Sequence, residues 1–172
     1  MTKNLAIKQY NLYMKETQML SYAAASISFD DSTGAPKKAF KERNEVLNYF
    51  QSILFARSVS KEYQLLIANL DKYYNSLSNK YKRIVDISKK ELAMNVKVPV
   101  DVMNKYQMAC SEAFYYWDIA KNKSDYSIFA PKLKEIIELT KEITGYTDPE
   151  KEIYDALLDQ YEEGMDSATI DK

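Results

Sequence analysis

Histidine is absent from the 172 residues, and cysteine occurs once, at Cys110. Zinc is held by imidazole and thiolate groups, four of them in a structural site and fewer plus an open position in a catalytic one, and Cys110 is the only such group here. The same lack removes the usual base that activates a serine, cysteine or threonine nucleophile. One thiol forms neither an internal disulfide nor a CxxC site, so Cys110, in the helical context Tyr106-Gln107-Met108-Ala109-Cys110, reads as a small core residue. The 3 glycines stand apart and form no phosphate-cradling cluster. No D-x-D-x-D-G loop offers calcium a site. No apolar run approaches the ~20 residues of a membrane span, and none of signal-peptide character opens the chain. A cytoplasmic protein without a membrane partner is expected.

What is present is an ordinary globular composition, 46% hydrophobic and 28% charged, too apolar for intrinsic disorder. At 20.0 kDa the chain is large enough to bury a core as a single helical domain over residues 1–172, two small helical subdomains being the other option. Lysine plus arginine number 24 against 25 acidic residues. That balance leaves no surplus to attract phosphate backbones, and a nucleic-acid partner is not expected. The one basic knot, Lys80-Tyr81-Lys82-Arg83, precedes a helical apolar pattern and reads as a solvated helix face.

Glycine and proline punctuate long helices. Gly34 and Pro36 separate the first helix from the second, Val98-Pro99 interrupts a long helical stretch, Pro131 marks another start, Gly145 and Pro149 fence a connection, and Gly164 closes a helix. Between these marks the period is helical. Leu5, Leu12, Met19 and Ala23 follow one stripe, and Phe40, Leu47, Phe50 and Leu54 another. Helices are predicted over 4–28, 36–57, 60–77, 79–97, 99–121, 128–144 and 149–163, an all-α bundle of about seven. Val102, Tyr106, Ala109, Ala113 and Trp117 put small and aromatic groups on one packing face. After Gly164, Asp166 or Ser167 can cap the opening turn of a further helix. One turn does not sustain itself, so the end reads as that of a front portion of something larger, a frayed tail being the alternative.

Candidate chemistry reduces to carboxylates and tyrosines. Asp30 and Asp31, an adjacent acidic pair assigned to a loop, read as helix-end and turn residues rather than ligands. Glu135, Glu138 and Glu142 share a helix whose apolar face, Leu133, Ile136, Ile137, Thr140 and Ile143, turns them to solvent. The 15 tyrosines are the unusual entry. Tyr73, Tyr74, Tyr115, Tyr116, Tyr146, Tyr154 and Tyr161, with Trp117, suit positions buried at one end and wet at the other, such as subunit contacts or a groove wall. No catalytic, cofactor-binding or metal-binding residue is expected on this chain.

Three stretches together resemble the carboxypeptidase Taq family, the thermostable carboxypeptidases, which are HExxH zinc metallocarboxypeptidases. The first runs from Phe29-Asp30-Asp31-Ser32-Thr33-Gly34-Ala35-Pro36-Lys37-Lys38 to Arg43 and Glu45-Val46 and is similar to W-D-x-x-T-x-x-P with a downstream arginine. Asp30, Thr33, Pro36 and Arg43 match, and Phe29 stands in place of tryptophan. The second is Val98-Pro99, then Trp117-Asp118-Ile119-Ala120-Lys121 through Asp125-Tyr126, Phe129, Pro131 and Leu133. The third, Tyr154-Asp155-Ala156-Leu157-Leu158-Asp159-Gln160-Tyr161-Glu162-Glu163-Gly164-Met165, resembles Y-D-x-L-L-D-x-Y-E-P-G-M with Glu163 in place of proline.

The resemblance implies the N-terminal part of a larger neurolysin-like helical peptidase fold. It implies a parent enzyme that removes C-terminal residues from peptides, using zinc or another divalent metal held by HExxH and a downstream glutamate. No residue of that machinery lies in the matched stretches. The region is expected to form a wall or cover of the substrate groove and to be catalytically incomplete alone, with peptide as the parent's substrate and homo-oligomerisation through apolar area left uncovered. The competing class is a free-standing helical interaction module. The related oligoendopeptidase type is disfavoured by the W-D-x-x-T-like segment.

Overall fold

A computed structural model describes residues 1–171, apart from the side chain of Lys37. Among the described residues there are eight α-helices and no strand, in agreement with the all-α expectation. The chain divides into two compact units, Met1–Val96 and from Lys97 onward.

The first unit holds α1 (Lys3–Thr33), α2 (Phe40–Ser58), α3 (Lys61–Asp71) and α4 (Asn79–Asn95), with 3-10 turns at Lys37–Ala39 and Tyr74–Ser76. Three of these helices start on hydroxyl residues. Thr2 accepts from the Leu5 N–H and Ser60 from the Tyr63 N–H, while Ser78 precedes α4 in extended conformation. The core joins Ala6, Tyr10 and Tyr13 of α1 to Tyr63, Leu66, Ile67 and Leu70 of α3, with Leu77 and Val85 beyond. Leu70 and Val85 are fully enclosed. Truncating Leu70 to alanine removes that packing at a cost of about 2–5 kcal/mol.

Two of the core tyrosines, Tyr13 and Tyr63, give their hydroxyls a partner. Tyr13 donates to the Arg57 carbonyl at 2.8 Å, and Tyr63 lies 2.9 Å from the Ser88 hydroxyl. The two rings stack at 5.7 Å. Arg57 answers Tyr13 in kind. Its guanidinium covers the Tyr13 ring at 4.1 Å, donates to the Tyr13 carbonyl at 3.1 Å and to the Thr17 hydroxyl at 3.1 Å. This reciprocal clasp ties the middle of α1 to the end of α2.

The second unit holds α5 (Val100–Lys123), α6 (Ala130–Thr147), α7 (Ile153–Tyr161) and α8 (Ser167–Ile170), with a 3-10 turn at Tyr126–Ile128. α5 buries Val102, Ala109, Ala113 and Ala120, small side chains that let a neighbouring helix approach closely. Lys132 of α6 binds Glu112 of α5 at 2.6 Å, and Lys97 donates to the Thr147 carbonyl at the end of α6.

Several predicted boundaries and faces need correction. α1 continues to Thr33 instead of stopping near 28, so Asp30 and Asp31 are helical and not in a loop. α3 ends at Asp71 rather than 77, and α7 begins at Ile153 rather than 149. The stripe of Leu5, Leu12 and Met19 faces solvent, while α1 buries Ala6, Tyr10 and Tyr13. Trp117 and Ile137 are likewise exposed.

Candidate functional site

The residues singled out by sequence form corners rather than a reaction centre. In the first unit, Asp30 and Asp31 occupy the last turn of α1, and Arg43 rises from the first turn of α2 to meet both. Its Nη2 binds the Asp30 carboxylate and its Nε lies 3.1 Å from Asp31 Oδ1. Arg43 is 18% exposed, and a guanidinium at that depth with two carboxylates is fully engaged. The end of α1 is sealed from within. The Ser32 and Thr33 hydroxyls donate to the Ser28 and Phe29 carbonyls, and the Gly34 and Ala35 N–H groups both reach the Asp30 carbonyl. Phe29 stands out into solvent at 71% exposure.

Beside this corner lies an open cleft lined by Ser26, Ile27 and Asp30 of α1 and by Glu42, Arg43 and Val46 of α2. Sequence reasoning singled out the stretch holding Asp30, Arg43 and Val46 but missed Ser26 and Glu42. The four-residue spacings 26/30 and 42/46 put these side chains on facing helical ridges once α1 and α2 are known to pack.

In the second unit the stretch after Trp117 makes the α5–α6 corner. Ser124 adopts the left-handed conformation, φ 51°, and closes α5 through its N–H to the Ala120 and Lys121 carbonyls. Asp125 then accepts from the Ser127 N–H at 3.0 Å and from its hydroxyl at 2.6 Å, which holds the Asp125 carboxyl below its ordinary pKa. Pro131 lies in the first turn of α6, where a missing N–H costs nothing. Lys121 sits 4.9 Å from the Trp117 ring, and the Phe114 ring lies 5.8 Å from that of Trp117.

The third stretch folds back on itself. Asp159 accepts from the Gly164 N–H at 2.7 Å and binds Lys151 at 2.8 Å, while Asp155 accepts from the Ser167 N–H at 2.8 Å. Hydrogen bonds from the Ser167 hydroxyl and backbone keep the Asp155 carboxyl below its ordinary value. Gly164, at φ +86°, supplies the left-handed turn that brings the chain back along α7. Asp166 caps α8 by accepting from the Thr169 N–H at 2.7 Å.

The remaining candidates stay apart from one another. Cys110 is half-buried, its thiol pushed up in pKa by burial, and burial likewise raises its neighbour Tyr106. Glu135 and Glu138 pair with Lys132 and Lys141 on the outer face of α6, and Glu142 is exposed beside them. Tyr73 donates to the Met1 carbonyl and Tyr74 to Asp86, whereas Tyr146, Tyr154 and Tyr161 are exposed. Among the described residues no three histidine, cysteine, aspartate or glutamate side chains come together as a metal site. No described helix is long and apolar enough to cross a membrane.

All three corners lie in sequence stretches that a family description can test, and the model of the carboxypeptidase Taq (M32) metallopeptidases matches residues 9–172. The chain belongs to the carboxypeptidase Taq family. Carboxypeptidase 1 of Bacillus subtilis is 33% identical over 165 residues, 96% of this chain and 33% of that protein. Thermostable carboxypeptidase 1 of Pyrococcus furiosus is 28% identical over 171 residues, 99% of this chain and 34% of its own length. Among solved structures, the crystal structure of BsuCP superposes with a TM-score of 0.88 at 33% identity, covering 96% of this chain and 33% of that one. The chain thus spans about a third of the length of the carboxypeptidase Taq relatives it matches. As a metallopeptidase family it implies a metal in the parent enzyme. The residues here do not fit such a centre, having no imidazole and, among the described residues, no group of three side chains able to hold a metal ion.

Proposed function

We propose that this chain is the N-terminal helical region of a metallocarboxypeptidase that removes C-terminal residues from peptides, where it forms a wall or cover of the substrate groove and is catalytically incomplete alone. The observation that carries the reading is the family match across residues 9–172 in a chain a third as long as its relatives. The three sequence stretches support it from another side, since each is spent on holding helices at fixed angles. Asp30, Arg43, Asp125, Asp155 and Asp159 each bind groups of the protein itself. A free-standing interaction module has no comparable support.

Under this reading the metal, zinc or another divalent ion, is held elsewhere in the parent polypeptide, and no residue of this chain ligates it. The parent works in the cytoplasm on peptides, as a homo-oligomer, without nucleic-acid or membrane partners. The formal charge of −1 supports the absence of a nucleic-acid partner.

A chimera tests the central claim. This chain replaces the corresponding third of Bacillus subtilis carboxypeptidase 1, and release of C-terminal residues is assayed for the chimera, for this chain and for the truncated relative. Activity is expected in the chimera only. Peptide cleavage by this chain alone, or full activity of the truncated relative, overturns the reading.

A further inference from the structure

We draw no further inference here: the strongest candidate, the open cleft between the end of α1 and the start of α2, belongs to the corner already described, where Arg43 is held by Asp30 and Asp31, and nothing in the structure shows what would fill it.

Discussion

Individual residues in this protein are chosen for what they do to the main chain. Arg57 shows it best, because only a planar guanidinium can lie over the Tyr13 ring while its edge serves the Tyr13 carbonyl and the Thr17 hydroxyl. Arg57→Lys keeps the charge and loses the fork and the stacking. It is expected to cost about 2 kcal/mol, a fall in melting temperature of about 4–8 °C; an unchanged melting curve would show the clasp to be idle. Asp155 gives a pH signature. Its folded pKa is held below the unfolded value by the Ser167 hydrogen bonds, so the contribution is complete above the unfolded value and is lost as pH falls through the folded one. Amide exchange at Ser167 should therefore accelerate relative to its intrinsic rate below about pH 4 in the wild type, and show no such acid step in Asp155→Asn. A pH-independent protection factor in the wild type would count against the bond.

At the scale of elements, helix class was readable throughout and helix faces were not. Periodicity found seven helices because a buried and a solvated side alternate at the same interval whichever side is which. Hence Leu5, Leu12 and Met19 announced a helix, although the buried side of α1 is built from Ala6, Tyr10 and Tyr13, and the inward place of Tyr13 depends on a partner for its hydroxyl on another helix, the Arg57 carbonyl of α2. The end of α1 was misread for a related reason. Phe29-Asp30-Asp31-Ser32-Thr33 is a weak helix sequence, and it stays helical because Ser32 and Thr33 bond back while Arg43 neutralises the aspartates from another helix. Of the candidate cleft, Asp30, Arg43 and Val46 lay in the stretch that carries the family resemblance, while Ser26 and Glu42 required the packing of α1 on α2. The α5–α6 corner offers an element-level test. Ser124 sits in the left-handed region, so Ser124→Gly removes strain and should stabilise by roughly 0.5 kcal/mol, raising the melting temperature by about 1–2 °C. A lower melting temperature would mean that the serine side chain contributes more than its backbone strain costs.

For the molecule as a whole, the family and the helical architecture agree with what the sequence implied, while the peptidase role is a proposal that rests on relatives three times as long. The chain by itself leaves aromatic area uncovered, with Phe114 and Trp117 exposed side by side on α5. Concentration-dependent self-association through that patch is expected, and Phe114→Lys with Trp117→Lys should reduce it in sedimentation velocity; strictly monomeric behaviour of the wild type at high concentration would contradict this. The Tyr13–Arg57 clasp has a different kind of consequence. Each side chain anchors to a carbonyl of the other residue, and a carbonyl survives any substitution. Either position can therefore drift during evolution without stranding its counterpart's hydrogen bond, leaving only the ring–guanidinium stacking to couple the two sites in a double-mutant cycle.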